Sequence, residues 1–211
     1  MTQPLSLSSL PLFPLASVLF PQGTLALRVF EVRYLDMVRK CQQVGAPFGV
    51  VTLTEGHEVR KPGASDEQFT AEGTLAVIEH IETPQPGLIM MICRGDARFR
   101  IRQRNHLPHG LWIADVRQME PDTPVTVPED LQKTAQALAQ VLKTLHERNP
   151  GALVAQQPTA LQLQDCGWVA NRWCELLPLP LALKQRLMAL ENPLLRLELV
   201  ADVLDQTGIA T

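Results

Sequence analysis

The sequence predicts an α+β protein, with a β-rich first lobe holding one early helix and an α-helical second lobe, on three observations. Apolar residues alternate with polar ones in short runs through the first 120 residues, the period of half-covered strands. Pro121, Pro124 and Pro128 then mark a shift in composition. Beyond them apolar residues recur at helical spacing up to the C-terminus. The expected lobes are 1–120 and 121–211.

The first extended segment contains Pro11 and Pro14, which lack amide donors and so place it at a sheet edge or start. Phe20-Pro21-Gln22-Gly23 reads as a turn, with proline fixing one φ and Gly23 free to take a positive one. Leu25, Leu27 and Val29 alternate with Ala26 and Arg28 as a strand. From Phe30 the spacing changes: Phe30, Tyr34, Met37, Val38 and Cys41 follow a helix that ends near Gly45. Phe48–Leu53 is a strand, and Thr54 to Gln68, with Gly56, Pro62, Gly63 and Ser65, is a surface loop. Further strands are expected at Thr70–Ile81, Leu88–Cys93, Ala97–Arg104 and Leu111–Met119, with Gly95-Asp96 as one of the breaks, and together they suggest a curled sheet or small barrel.

In the second lobe Pro128 suits a first helical turn, and Glu129 and Asp130 complement the helix N-terminal partial charge. Leu131, Ala135, Leu138, Leu142 and Leu145 form one stripe up to about His146, which Asn149-Pro150-Gly151 breaks. One helix is expected over Leu161 to Leu177 and a short one carrying Leu183, Leu187 and Leu190. Asn192-Pro193 is a cap and first-turn pair for the last.

With 211 residues, 45% hydrophobic and 19% charged, the chain has the composition of a soluble globular protein with a substantial core. Its net charge of -3 gives no global attraction to nucleic acid or an anionic membrane. No apolar run approaches the roughly 20 residues of a membrane span, and the N-terminus lacks the basic start of a signal peptide, so the expected location is cytoplasmic. Cys41, Cys93, Cys166 and Cys174 form no C-x-x-C pair and are expected as buried thiols.

Several ordered segments carry a family resemblance: Leu10-Pro11-Leu12-Phe13-Pro14-Leu15, Phe20-Pro21-Gln22-Gly23 and Phe30-Glu31-Val32-Arg33-Tyr34, then Gly73-Thr74-Leu75-Ala76-Val77-Ile78 and Gly95-Asp96-Ala97-Arg98-Phe99-Arg100-Ile101. In the second half Leu177-Pro178-Leu179, Lys184-Gln185-Arg186-Leu187 and Arg196-Leu197 continue it. Across nearly the whole chain the pattern resembles the N-terminal substrate-binding domain of Lon proteases. Gln22 stands where many relatives have glycine, and Val32 where many have proline. The resemblance implies a PUA-like β-barrel lobe joined to a helical lobe, and a protein that binds unfolded or flexible polypeptide as an adaptor or chaperone-like holder, with an ATP-dependent protease as its delivery partner. No G-x-x-x-x-G-K-[ST] phosphate loop occurs, and the chain leaves no room for an ATPase or Ser-Lys peptidase domain, so a non-enzymatic, ATP-independent protein without cofactor is expected.

The candidate peptide-binding residues are Phe20, Pro21, Phe30, Glu31, Arg33 and Tyr34, with contact through apolar surface in a cleft between the lobes or by strand addition at a sheet edge. Each also has a plain structural reading: the aromatic rings as core, and Glu31 and Arg33 as groups that hold the helix start, with Glu31 accepting its first amides. The alternative function is RNA binding. Arg98, Arg100, Arg102 and Arg104 alternate along one strand and would display four cations on one face, unless that face is merely solvated and paired with Glu79, Glu82 and Asp115. His106 and His109 flank Leu107-Pro108 on a turn, lack further ligands of matching kind, and are read as solvated loop histidines rather than a metal site.

Overall fold

The computed structural model describes residues 5–59, 67–149 and 157–208, and the chain divides into two compact units, Met1–Pro121 and Asp122–Thr211. Pro62, Gly63 and Ser65 of the expected loop, and Pro150-Gly151 of the expected break, lie outside the described residues.

The first unit contains β1 (Ser6–Leu15), β2 (Thr24–Val29), α1 (Val32–Val44), β3 (Phe48–Glu55), β4 (Gln68–Gln85), β5 (Leu88–His106) and β6 (Trp112–Gln118). The strand order is β2-β5-β4-β3-β1-β6, and β5 also pairs with β6. That second pairing closes β5-β4-β3-β1-β6 into a barrel. The first half of β5 extends beyond the closure and carries β2 along one edge, from Thr24↔Arg94 to Val29↔Ile89.

Two expectations change here. Gly95-Asp96 is no break, because β5 runs through it. A Cβ at Gly95 would strike the carbonyl of Phe20, so glycine keeps the strand continuous while the Phe20–Gly23 turn lies directly on it. The turn is pinned there by Gln22 N–H donating to the Gly95 carbonyl and Gly95 N–H donating to that of Gly23, each at 2.8 Å. β1 is not a sheet edge either: Ser6–Pro11 pairs antiparallel with β6, and Leu12–Leu15 pairs parallel with β3. Each half is paired on one side only, which leaves the prolines a side without ladder bonds.

Alternation sorts the apolar residues into two clusters. Leu10, Leu12, Val51, Phe69, Leu75, Phe99, Ala114 and Val116 form one. Phe13, Val50, Ile89, Met91 and Cys93 turn the other way and pack with Tyr34, Leu35, Met37, Val38 and Cys41 of α1. α1 ends as expected, with Gly45 in the left-handed conformation at φ 65°. The turn before β2 differs in one residue: it is Gln22, at φ 60°, that adopts the positive φ assigned to Gly23.

The second unit begins with an extended segment that clasps a helix junction. Val127 N–H donates to Gln164 O and Cys166 N–H to Val125 O, each at 2.9 Å. A 3-10 turn (Glu129–Leu131), capped by Pro128, leads into α2 (Gln132–Arg148). The single helix expected over Leu161–Leu177 is two, α3 (Ala160–Leu163) and α4 (Cys166–Leu176), because the Asp165 carboxylate caps a new start by accepting from Trp168 N–H at 2.6 Å. α5 (Leu181–Ala189) and α6 (Pro193–Thr207) follow, and Asn192 Oδ1 caps α6 by accepting from the amides of Leu194 and Leu195 at 3.0 and 3.1 Å.

Arg196 is the hub of this unit, 1% exposed. Its Nη1 donates to Asp122 Oδ2 at 2.6 Å and Asn171 Oδ1 at 3.0 Å, its Nη2 to Asp122 Oδ1 at 3.1 Å and to Leu190 O, and its Nε to Leu187 O at 2.9 Å. One guanidinium thus ties the entry strand, α4, the end of α5 and α6 together. Burial pushes the nearby Cys174 thiol up to about 12 and the Glu175 carboxyl up to about 7, against the opposing pull of Arg172 and Lys184 on Glu175. Arg172 and Glu175 meet at 2.9 Å.

Candidate functional site

The junction between β2 and α1 divides its residues between an inside and an outside. Val29 ends the strand fully buried, and the chain stays extended through Glu31 before α1 begins. Arg33 points inward and is 5% exposed. Its Nη1 donates to Gly110 O at 2.8 Å and its Nη2 to Glu67 Oε1 at 3.0 Å, with Glu31 Oε2 at 3.3 Å. Trp112 Nε1 donates to the other Glu67 oxygen at 3.2 Å, so both carboxylate oxygens are engaged. Burial alone would weaken the charge on both partners. On Arg33 the surrounding negative groups outweigh it, and on Glu67 the hydrogen bonds it accepts and the guanidinium hold the carboxyl below its ordinary range.

Tyr34 is equally internal. Its ring stacks on Phe13 at 4.0 Å and lies beneath the Arg33 guanidinium at 4.5 Å. Burial drives its hydroxyl pKa up. Arg33 and Tyr34 therefore do not form a contact surface; they hold the junction in shape. Glu31 serves the same purpose by pairing with Arg33, and its side chain does not cap α1 as expected.

Facing outward are Phe30, 53% exposed, and Val32, 73% exposed. Phe30 stands before α1 rather than in its apolar stripe. Two residues back, Arg28 is exposed and faces Met90, its register partner on β5, itself 42% exposed. Of the six candidate residues, then, Phe30 and the half-buried Pro21 and Glu31 reach solvent, while Phe20 is wholly buried and belongs to the core. Val32, Met90 and Arg28 were missing from the sequence-based set. Met90 was accessible to that reasoning, since it lies between Ile89 and Met91, both buried, on the opposite face of a strand.

The four arginines of β5 do not form a ladder. A register shift between Ile101 and Gln103 breaks the alternation against β6. Arg98 is buried and donates to Glu120 O at 3.2 Å. Arg100 pairs with Glu72 at 3.0 Å, and Arg104 lies over the rings of Phe69 and Trp112 while donating to Gln68. Arg102 is exposed, so a four-cation face does not exist. His106 is not a solvated histidine: its ring rests against Trp112 at 4.6 Å. His109 is exposed, and among the described residues no three His, Cys, Asp or Glu side chains cluster as metal ligands. All four cysteines are free and buried. No helix among the described residues is long and apolar enough to cross a membrane.

Residues 9–206 match the family described as the ATP-dependent protease La (LON) substrate-binding domain. Among solved structures the chain is similar to a Lon N-terminal domain protein from Xanthomonas campestris, with 33% identity and a TM-score of 0.67 over 93% of this chain and 98% of that one. The N-terminal domain of a Mycobacterium avium complex Lon protease shares the fold at 13% identity and a TM-score of 0.56, over 92% and 96% of the two chains. No curated protein matches the sequence.

Proposed function

The chain belongs to the Lon substrate-binding domain family, and from that premise we propose that it binds flexible polypeptide and performs no chemistry itself. It acts as a recognition module, holding clients or presenting them to an ATP-dependent protease. The observation that carries this reading is the junction after β2, where Phe30 and Val32 stand in solvent beside a buried, ion-paired interior. Large apolar side chains held outward on a fixed frame gain by being covered, and each fully covered ring or branched chain contributes about 1.5–3 kcal/mol.

The test is fluorescence anisotropy with a labelled protein kept unfolded by reduction and alkylation, titrated with the chain and with Phe30→Ser/Val32→Ser. Binding to the unfolded probe over its native form is expected, weakened about tenfold in the variant, the equivalent of about 1.4 kcal/mol. Equal affinity for native and unfolded probes, or an unchanged affinity in the variant, overturns the proposal.

A further inference from the structure

We propose that β2 takes its polypeptide as an added strand along its outer edge, and that the preferred segment is an extended one carrying a carboxylate to meet Arg28. This rests on the polypeptide-binding reading above and specifies its mode and ligand class.

β2 pairs only with β5, and among the described residues no strand lies along its other side. The Gly95 N–H donates to Gly23 O, which fixes the phase of the antiparallel ladder. Alternation then turns the amides and carbonyls of Leu25, Leu27 and Val29 toward β5 and those of Thr24, Ala26 and Arg28 outward. Ala26 and Arg28 are exposed, so the outward groups are accessible.

The sheet has a second open stretch, on the C-terminal half of β4, and the contrast between the two is informative. β4 shifts register against β5 between Ile78 and His80 and again between Glu82 and Gln85. Such bulges twist an edge away from an incoming strand. Its charges are also taken: Glu79 pairs with Arg94 at 2.7 Å and Glu82 with His80 at 2.9 Å. β2 keeps an unbroken register over all six residues. Of these two stretches, β2 is the regular one.

Charge selects the occupant. Arg28 makes no ion pair among the described residues, and its register partner Met90 places exposed apolar surface next to the cation. A guest strand with an acidic residue opposite Arg28 satisfies the cation, and β-branched residues around it suit the extended conformation. A second copy of this chain meets the cation less well, because Thr24–Val29 contains no carboxylate to offer.

The probe is a fluorescein-labelled nonapeptide of alternating valine and threonine with one central glutamate. It is compared with a lysine-centred version and with one N-methylated at alternate backbone amides. About tenfold weaker binding is expected for the lysine peptide and for the N-methylated peptide, which keeps its side chains but loses ladder donors. Ala26→Pro, which removes one outward donor and no β2–β5 bond, is expected to weaken binding by a similar factor. Arg28→Glu, independent of any backbone change, is expected to reverse the preference between glutamate and lysine peptides. Equal binding of the N-methylated peptide, or an unchanged preference in Arg28→Glu, overturns the edge mode; if the unfolded-protein probe still binds wild type, the broader polypeptide-binding reading stands. If neither probe binds, both fall.

Discussion

Replacing Arg196 by methionine keeps most of the side-chain volume and removes every hydrogen bond the hub makes. Five are lost: two to Asp122, one each to Asn171 Oδ1, Leu187 O and Leu190 O. Breaking a buried ion pair from one side costs about 3–5 kcal/mol, because the partner charge loses its principal counter-ion. Asp122 retains 19% side-chain exposure, so water takes over part of its solvation and moves the expectation toward the middle of that range. The two carbonyls and the amide oxygen each add a penalty, but they share one cavity and relax together. About 4 kcal/mol is the result, a large share of the 5–15 kcal/mol that holds a typical domain. The assay is urea unfolding followed by tryptophan fluorescence in a Trp112→Phe background, where only Trp168 and Trp173 of the second unit report. Adding Asp122→Ala to Arg196→Met is expected to recover at least about 1 kcal/mol, since it deletes the carboxylate whose guanidinium is gone. A cost below about 1.5 kcal/mol for Arg196→Met, or further destabilisation on adding Asp122→Ala, refutes the view that this guanidinium holds the unit through its ion pair.

Two other substitutions test the local readings. Gln22→Gly is expected to stabilise the chain by about 0.5–1 kcal/mol and Gln22→Val to destabilise it by about 1–2 kcal/mol, since Gln22 sits at φ 60° where a Cβ is strained and a branched one more so; thermal denaturation decides, and equal signs would contradict the turn geometry. The Glu175 carboxyl is raised to about 7 in the folded chain, so its protonated form stabilises fully below the unfolded value near 4.5 and that contribution is lost as pH rises through about 7. Glu175→Gln is therefore expected to flatten the decline in stability between pH 5 and pH 8, measured by denaturant midpoints at both values; a slope as steep as wild type counts against it.

The sequence made the strands and helices legible wherever a local rule acted alone. Gly45 and Asn192-Pro193 end and begin helices because their conformational and capping preferences need no distant partner. It misled where a tertiary contact decided. Gly95-Asp96 reads as a turn in isolation, yet the carbonyl of Phe20 occupies the space a side chain would need, and the strand continues. Asp165 divides the expected Leu161–Leu177 helix because it also bridges to Thr126 at the entry of the unit. The arginine run failed for the same reason. Strict alternation assumes a regular ladder, and the shift after Ile101 together with the burial of Arg98 removes that regularity.

The Phe30–Tyr34 element shows how a recognition surface and its support arise from five consecutive residues. A strand ending in the core must turn outward before a helix begins, and the two residues on the outside of that turn, Phe30 and Val32, stand largely in solvent. Exposed apolar groups on a soft loop would collapse onto the nearest surface. Here the turn is held by Arg33, whose guanidinium reaches Gly110, Glu67 and Glu31, so its shape is set by residues 34 and 77 positions away in sequence. Loss of the Arg33–Glu67 pair would act on binding by releasing the frame, without removing any contacting group. The regular edge of β2 lies directly before this point, so backbone donors, the exposed Arg28 cation and two outward apolar side chains fall within the stretch from Thr24 to Val32. Ordinary strand alternation followed by a buried ion pair is enough to assemble them.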